Sequence, residues 1–103
     1  MRHTYRTDLL YGGWKQPNNP TLTVTVEPVG PPSKGLWKWT AKDSYGPEWT
    51  GTIAQTTQDP MISVVHALGD DSGVMRDITR GTAVRRMIKY ANKGDLDVWR
   101  IRD

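Results

Sequence analysis

The feature that most constrains this chain is a run of period-two alternation within residues 35–57, which holds three of the five tryptophans. A β-strand sends successive side chains to opposite faces. In Leu36-Trp37-Lys38-Trp39-Thr40-Ala41-Lys42 this puts Trp37, Trp39 and Ala41 on one face and Lys38, Thr40 and Lys42 on the other. Glu48-Trp49-Thr50-Gly51-Thr52-Ile53-Ala54 repeats the pattern, with Trp49, Gly51 and Ile53 together. Asp43-Ser44-Tyr45-Gly46-Pro47 between the runs is turn chemistry. The spacing predicts an antiparallel hairpin. Gly51 either leaves room for a facing indole or marks a bulge.

The flanks extend this sheet. Thr21-Leu22-Thr23-Val24-Thr25-Val26-Glu27 is a clean alternation, with Leu22, Val24 and Val26 facing a core, and Pro28 is expected to end it. Residues 1–20 read either as a short edge strand, from the alternation of His3, Tyr5, Thr7, Leu9 and Tyr11, or as a partly ordered arm. Asp59-Pro60 opens a helix, because Asp caps free N–H groups and Pro suits the first helical position. Met61, Val64, Val65 and Leu68 form its apolar stripe, and Gly69 is a stop. Gly69-Asp70-Asp71-Ser72-Gly73 then reads as an acidic loop. Residues 82–92 form a second helix with Val84, Met87, Ile88 and Ala91 as its stripe and Gly94 as its end. The tail around Trp99 is read as a last strand at the sheet edge or an extended arm. The expected fold is α+β, a three- or four-stranded antiparallel sheet with two helices packed on its tryptophan-bearing face.

Composition narrows the function. The 103 residues fit one domain, 1–103, and contain no cysteine and two histidines. Thiolate metal sites and disulfides are excluded, and no His or Cys stands at metal spacing from His66. No apolar run of about 18 residues reads as a membrane span, so the expectation is a soluble, cytoplasmic protein without a membrane partner. The acidic loop lacks the alternating oxygen ligands and closing Glu of a calcium loop. There is no Gly-rich phosphate loop. Ser33, Ser44, Ser63 and Ser72 lack a partner set for a triad, and Asp95 and Asp97 are read as solvated. The expectation is therefore no enzyme, no catalytic residues, no metal and no cofactor.

The formal charge is +3, but the basic residues are concentrated: Arg80, Arg85, Arg86, Lys89 and Lys93 occur within residues 79–94 with no acid among them. A helix start is electropositive, so cations there are unfavourable by roughly 0.3–1 kcal/mol each. With Thr82 as cap and Gly81 allowing a concave turn, Thr79-Arg80-Gly81-Thr82 presents backbone N–H groups of the kind that bind phosphate. The candidate anion- or nucleic-acid-binding surface is Arg80, Gly81, Thr82, Arg85, Arg86, Lys89 and Lys93. The alternative is that Asp70, Asp71 or Asp77 pairs with these cations within the same molecule.

Three antiparallel strands followed by a helix over residues 21–68, with Trp39, Trp49 and Gly51-Thr52, resemble in topology the AP2-type and integrase-type DNA-binding domains. That resemblance implies a sheet face placed in the major groove. The outward face here departs from it, since Lys38 and Lys42 are offset by Glu27 and Glu48, and no functional residue is carried over. The reading is a small binding module contacting DNA or RNA through its basic helix. The alternative is a protein-binding inhibitor or adaptor that meets an acidic protein surface, with the general look of short bacteriophage proteins acting on a host protein. A homodimer is a third outcome.

Overall fold

A computed structural model of the chain describes residues 2–8, 21–30, 35–44, 46–54 and 59–101. The fold is α+β. Its strands are β1 (His3–Asp8), β2 (Thr21–Val29), β3 (Leu36–Asp43), β4 (Glu48–Ala54) and β5 (Arg100–Ile101). They form one antiparallel sheet in the order β4-β3-β2-β1-β5. The helices are α1 (Pro60–Asp70), the single turn α2 (Ser72–Met75) and α3 (Ile78–Lys93), followed by a 3-10 turn at Leu96–Trp99. Among the described residues the sheet thus has five strands where three or four were expected, and a third, short helix lies between the two anticipated ones.

The β3–β4 hairpin forms as its alternation dictates. Gly46 (φ 120°) donates to the Asp43 carbonyl at 2.9 Å, and the Asp43 amide donates to that of Pro47 at 3.0 Å. The ladder is continuous from Leu36↔Ala54 to Lys42↔Glu48, so Gly51 is not a bulge. A Cβ at Gly51 would sit 2.6 Å from the Trp39 ring, so the indole occupies the space that the missing side chain leaves.

Three boundaries differ from expectation for physical reasons. β2 runs through Pro28 to Val29. β1 pairs with β2 only as far as Val26, so at Pro28 the strand is locally an edge and can do without one N–H. Gly69 lies inside α1 rather than after it. A Cβ there would meet Ile88 Cδ1 at 2.7 Å, so the glycine permits close approach of α1 and α3. α3 begins at Ile78, four residues before Thr82, because Asp77 caps it by accepting from the Arg80 amide at 3.0 Å. Gly94 ends α3 in the left-handed conformation (φ 76°), as its position suggested.

Of the first twenty residues, the first strand takes the place of an arm over His3–Asp8, and it lies inside the sheet because β5 pairs with its outer side at Thr4 and Tyr5. Readings that fall on residues 9–20 lie outside the described residues.

The buried cluster joins Tyr5, Leu22, Val24, Val26, Trp39 and Ala41 of the sheet to Met61, Val64, Val65 and Leu68 of α1, Val74 of α2, and Ala83, Val84, Met87 and Ala91 of α3. Trp39 belongs to this core, whereas Trp37, Trp49 and Trp99 pack against its margin and stay partly exposed. The expectation that helices cover the tryptophans as a group therefore holds in full only for Trp39. Alternate sheet positions such as Thr23, Thr25, Lys38, Lys42, Thr50 and Thr52 are exposed or half-buried.

Replacing Gly51 with Ala forces the Trp39 indole to move within a close-packed core. The expected loss is about 1–3 kcal/mol of unfolding free energy, read by urea denaturation. An unchanged midpoint would show that the indole does not depend on the glycine.

Candidate functional site

The residues expected to form an anion site divide between two sides of α3. Arg80 is buried, at 7% exposure. Its Nη1 lies 3.1 Å from Asp43 Oδ2 on β3, its Nε donates to the Val74 carbonyl at 2.7 Å, and its Nη2 donates to the Gly73 carbonyl at 3.5 Å. The guanidinium carbon stands 4.2 Å from the centroid of the Trp49 ring on β4. One side chain thus joins α3 to β3, β4 and α2. A guanidinium suits this role because it is planar, carries five donors and stacks on aromatic faces. With its donors committed in this way, Arg80 is a structural cation and is not offered to solvent as a phosphate contact.

Gly81 is buried as well, and its amide donates to the Asp77 carbonyl at 2.8 Å. Thr82 is exposed but caps nothing; its Oγ1 donates to the Ile78 carbonyl one turn back, at 2.8 Å. The expected nest of open N–H groups at residues 79–82 is therefore absent, because these residues lie within the helix that Asp77 starts.

The remaining cations do come together. Arg85, Lys89 and Lys93 are exposed and follow one another at i, i+4 and i+8 along α3, with Thr82 one turn before them; Arg86 is half-buried beside them. Among the described residues no carboxylate lies within ion-pair distance of Arg85, Lys89 or Lys93. Two of the three acids considered as internal partners have other work. Asp71 Oδ1 accepts from the Gly73 and Val74 amides at 2.9 and 3.2 Å, and Asp77 caps α3. Internal pairing thus accounts for Arg80, through Asp43, and not for the outer stripe.

The sequence held one overlooked signal for Arg80. The apolar stripe Val84, Met87, Ile88 and Ala91, continued one turn toward the N-terminus, falls on Arg80 and Gly81, the positions that enter the core. Asp43, its partner, was read only as a turn residue.

A small cleft of about 120 Å³ lies between Asp59, Ile62, Ala91, Gly94, Leu96 and Asp97. Its volume is below the roughly 300 Å³ at which small-molecule sites begin. Asp59 Oδ1 caps α1 by accepting from the Met61 amide at 2.9 Å, and Oδ2 accepts the Tyr5 hydroxyl at 3.1 Å. Burial, reinforced by the Asp59 charge, raises the Tyr5 hydroxyl well above the ordinary tyrosine range, so it stays protonated. Asp97 stands 4.0 Å from Arg100. These groups hold α1 to β1 and complete the end of the sheet. Among the described residues no group of three or more histidines and carboxylates is placed to hold a metal ion. No helix among them is long and apolar enough to cross a membrane.

No protein-family model, no curated protein and no solved structure matches this chain. The five-stranded order also departs from the three-stranded sheet of the AP2-type and integrase-type domains, because β1 and β5 continue it beyond β2.

The division of α3 predicts two different responses to one kind of substitution. Arg80→Ala takes this partner from the buried Asp43 side chain and is expected to cost about 3–5 kcal/mol. Arg85→Ala, on the exposed stripe, is expected to change stability by less than about 0.5 kcal/mol. Urea denaturation of both variants checks this, and equal effects would remove the distinction.

Proposed function

We propose that the protein is a small binding module that contacts nucleic-acid phosphates through the outer stripe of α3, formed by Arg85, Lys89 and Lys93 with Thr82 and Arg86 beside them. The observation that supports it is that Arg85, Lys89 and Lys93 are exposed, with no carboxylate within ion-pair distance of these three among the described residues. Like charges four apart on a helix repel one another, so the arrangement costs the free protein stability. A polyanion relieves that repulsion and gains entropy as its condensed counterions are released. A helix that presents Arg and Lys at one-turn spacing tracks a phosphate backbone without reading base edges, so the expected binding is sequence-tolerant. Arg80 and Gly81 have no part in this surface; they hold the helix that carries it.

An acidic protein surface is the second reading, and one observation favours it. Ile78 is 83% exposed at the start of α3, four residues before Thr82 on the same stripe. An exposed isoleucine next to cations suits a mixed apolar and acidic partner better than a bare phosphate backbone.

Fluorescence anisotropy with labelled duplex DNA and with labelled RNA tests the first reading. Binding is expected at low salt, with the logarithm of affinity falling linearly against the logarithm of salt by about 0.9 per phosphate contact. Arg85→Glu combined with Lys89→Glu is expected to lower that slope by about two and to weaken binding at least roughly tenfold. Absence of binding to either nucleic acid at low salt, or an affinity that the double variant leaves unchanged, defeats the reading.

A further inference from the structure

β4 ends the sheet on its long side, and its outer row of backbone N–H and C=O groups has no partner strand among the described residues. Natural sheets protect such edges with lysines, prolines, bulges or short strands. β4 has none of these between Trp49 and Ile53. It is seven residues long, its pairing with β3 is unbroken, and Trp49-Thr50-Gly51-Thr52-Ile53 is uncharged and rich in strand-forming residues. The helix-side residues of β4, Trp49, Gly51 and Ile53, are only half-buried, so apolar surface lies open along this edge.

We infer that β4 is a homodimer edge: two copies of this chain pair their β4 strands antiparallel about a two-fold axis through Gly51, giving one ten-stranded sheet. The strand sequence carries this commitment to a second copy. An isologous contact requires the same strand to complement itself. Centred on Gly51, Trp49 opposes the partner's Ile53, Thr50 opposes the partner's Thr52, and Glu48 opposes the partner's Ala54. Each apolar residue meets an apolar residue, each threonine meets a threonine, and neither Glu48 faces another acid. Antiparallel pairing keeps opposed side chains on one face, so the centre can move only in whole-residue steps. Moving it to Thr50 sets Trp49 against glycine and Pro47 against Ile53. Moving it to Thr52 sets Gly51 against Ile53 and takes Glu48 past the end of the ladder.

The geometry also closes. The opposite edge is stepped, with the two-residue β5 beside Thr4 and Tyr5 and then residues 6–8 of β1, so it offers no continuous strand like β4, and an isologous β4 contact closes on itself as a dimer. The two-fold axis stands normal to the sheet and leaves both helical layers on the same side of it.

The test is the mass of the full chain by sedimentation equilibrium over a dilution series, with circular dichroism to confirm folding. The expected mass is twice that of the 11.6 kDa chain at high concentration, falling to the single chain on dilution. Thr50→Lys with Thr52→Lys places like charges opposite one another and is expected to yield monomer, whereas Thr50→Glu with Thr52→Lys places opposite charges and is expected to keep the dimer. Both pairs remove the same hydrogen bond from Thr50 Oγ1 to the Trp39 carbonyl, and because residue 50 also neighbours Lys38 and Lys42 on β3, the two are compared only where circular dichroism shows the same folded chain. Because the chain has no cysteine, register can be read without charge. Thr50→Cys chains mixed with Thr52→Cys chains are expected to cross-link to each other in preference to themselves, since only the opposed pair falls within disulfide reach. A single-chain mass at every concentration overturns the inference. So does a dimer that survives the two lysines, or cross-linking without preference for the mixed pair.

Discussion

The Arg80 guanidinium is the interaction on which the rest of this structure depends. Its ion pair with Asp43 reaches the last residue of β3, and its stacking on Trp49 reaches β4. Its bonds to the Val74 and Gly73 carbonyls fix the single turn α2, whose polar backbone would otherwise be poorly satisfied at the layer boundary. Hydrophobic burial drives the helices onto the sheet, but burial alone is non-directional. A buried fork with fixed geometry selects one seating of α3. A buried ion pair is weak evidence of net stability, so its contribution here is specificity of arrangement, with the penalty falling on any state in which one partner is left behind.

This gives α3 two unlike sides. Arg80, Gly81, Ala83, Val84, Met87 and Ala91 face inward, and Thr82, Arg85, Lys89 and Lys93 face outward. The inward side satisfies its one charge from Asp43. The outward side has no described carboxylate within ion-pair distance of Arg85, Lys89 or Lys93, and Asp71 and Asp77 are committed as helix caps. A helix start with two nearby acids and several cations could have cancelled its own charge. Capping takes those two acids to the helix starts, away from the outer stripe. If β4 pairs as inferred, both helical layers, and with them both copies of α3, lie on one side of a joined sheet.

Much of the sheet was legible because its information is local. The alternation of Trp37, Trp39 and Ala41, and of Leu22, Val24 and Val26, sets strand and face within a few residues, and the Asp43-to-Pro47 segment sets the turn. The stripe of Met61, Val64, Val65 and Leu68 was legible for the same reason. The errors arose where a residue's meaning depends on a distant partner. Gly69 reads as a helix stop until Ile88 is beside it. Pro28 reads as a strand end until the pairing of β1 with β2 is seen to stop at Val26. Arg80 reads as a surface cation until Asp43, 37 residues away, is brought under it. The candidate site was therefore half legible. Spacing alone put Arg85, Lys89 and Lys93 on one stripe, but it assigned Arg80, Gly81 and Thr82 to a nest that the Asp77 cap replaces with continuous helix.

The claim that one buried arginine seats the helical layer on the sheet is tested most directly by a double-mutant cycle. Arg80→Ala, Asp43→Ala and the combined variant are compared with the parent by urea denaturation. Direct contact predicts a coupling on the order of 1–3 kcal/mol, with the double variant losing clearly less than its single changes together. Single effects that add to within about 0.5 kcal/mol would contradict the account.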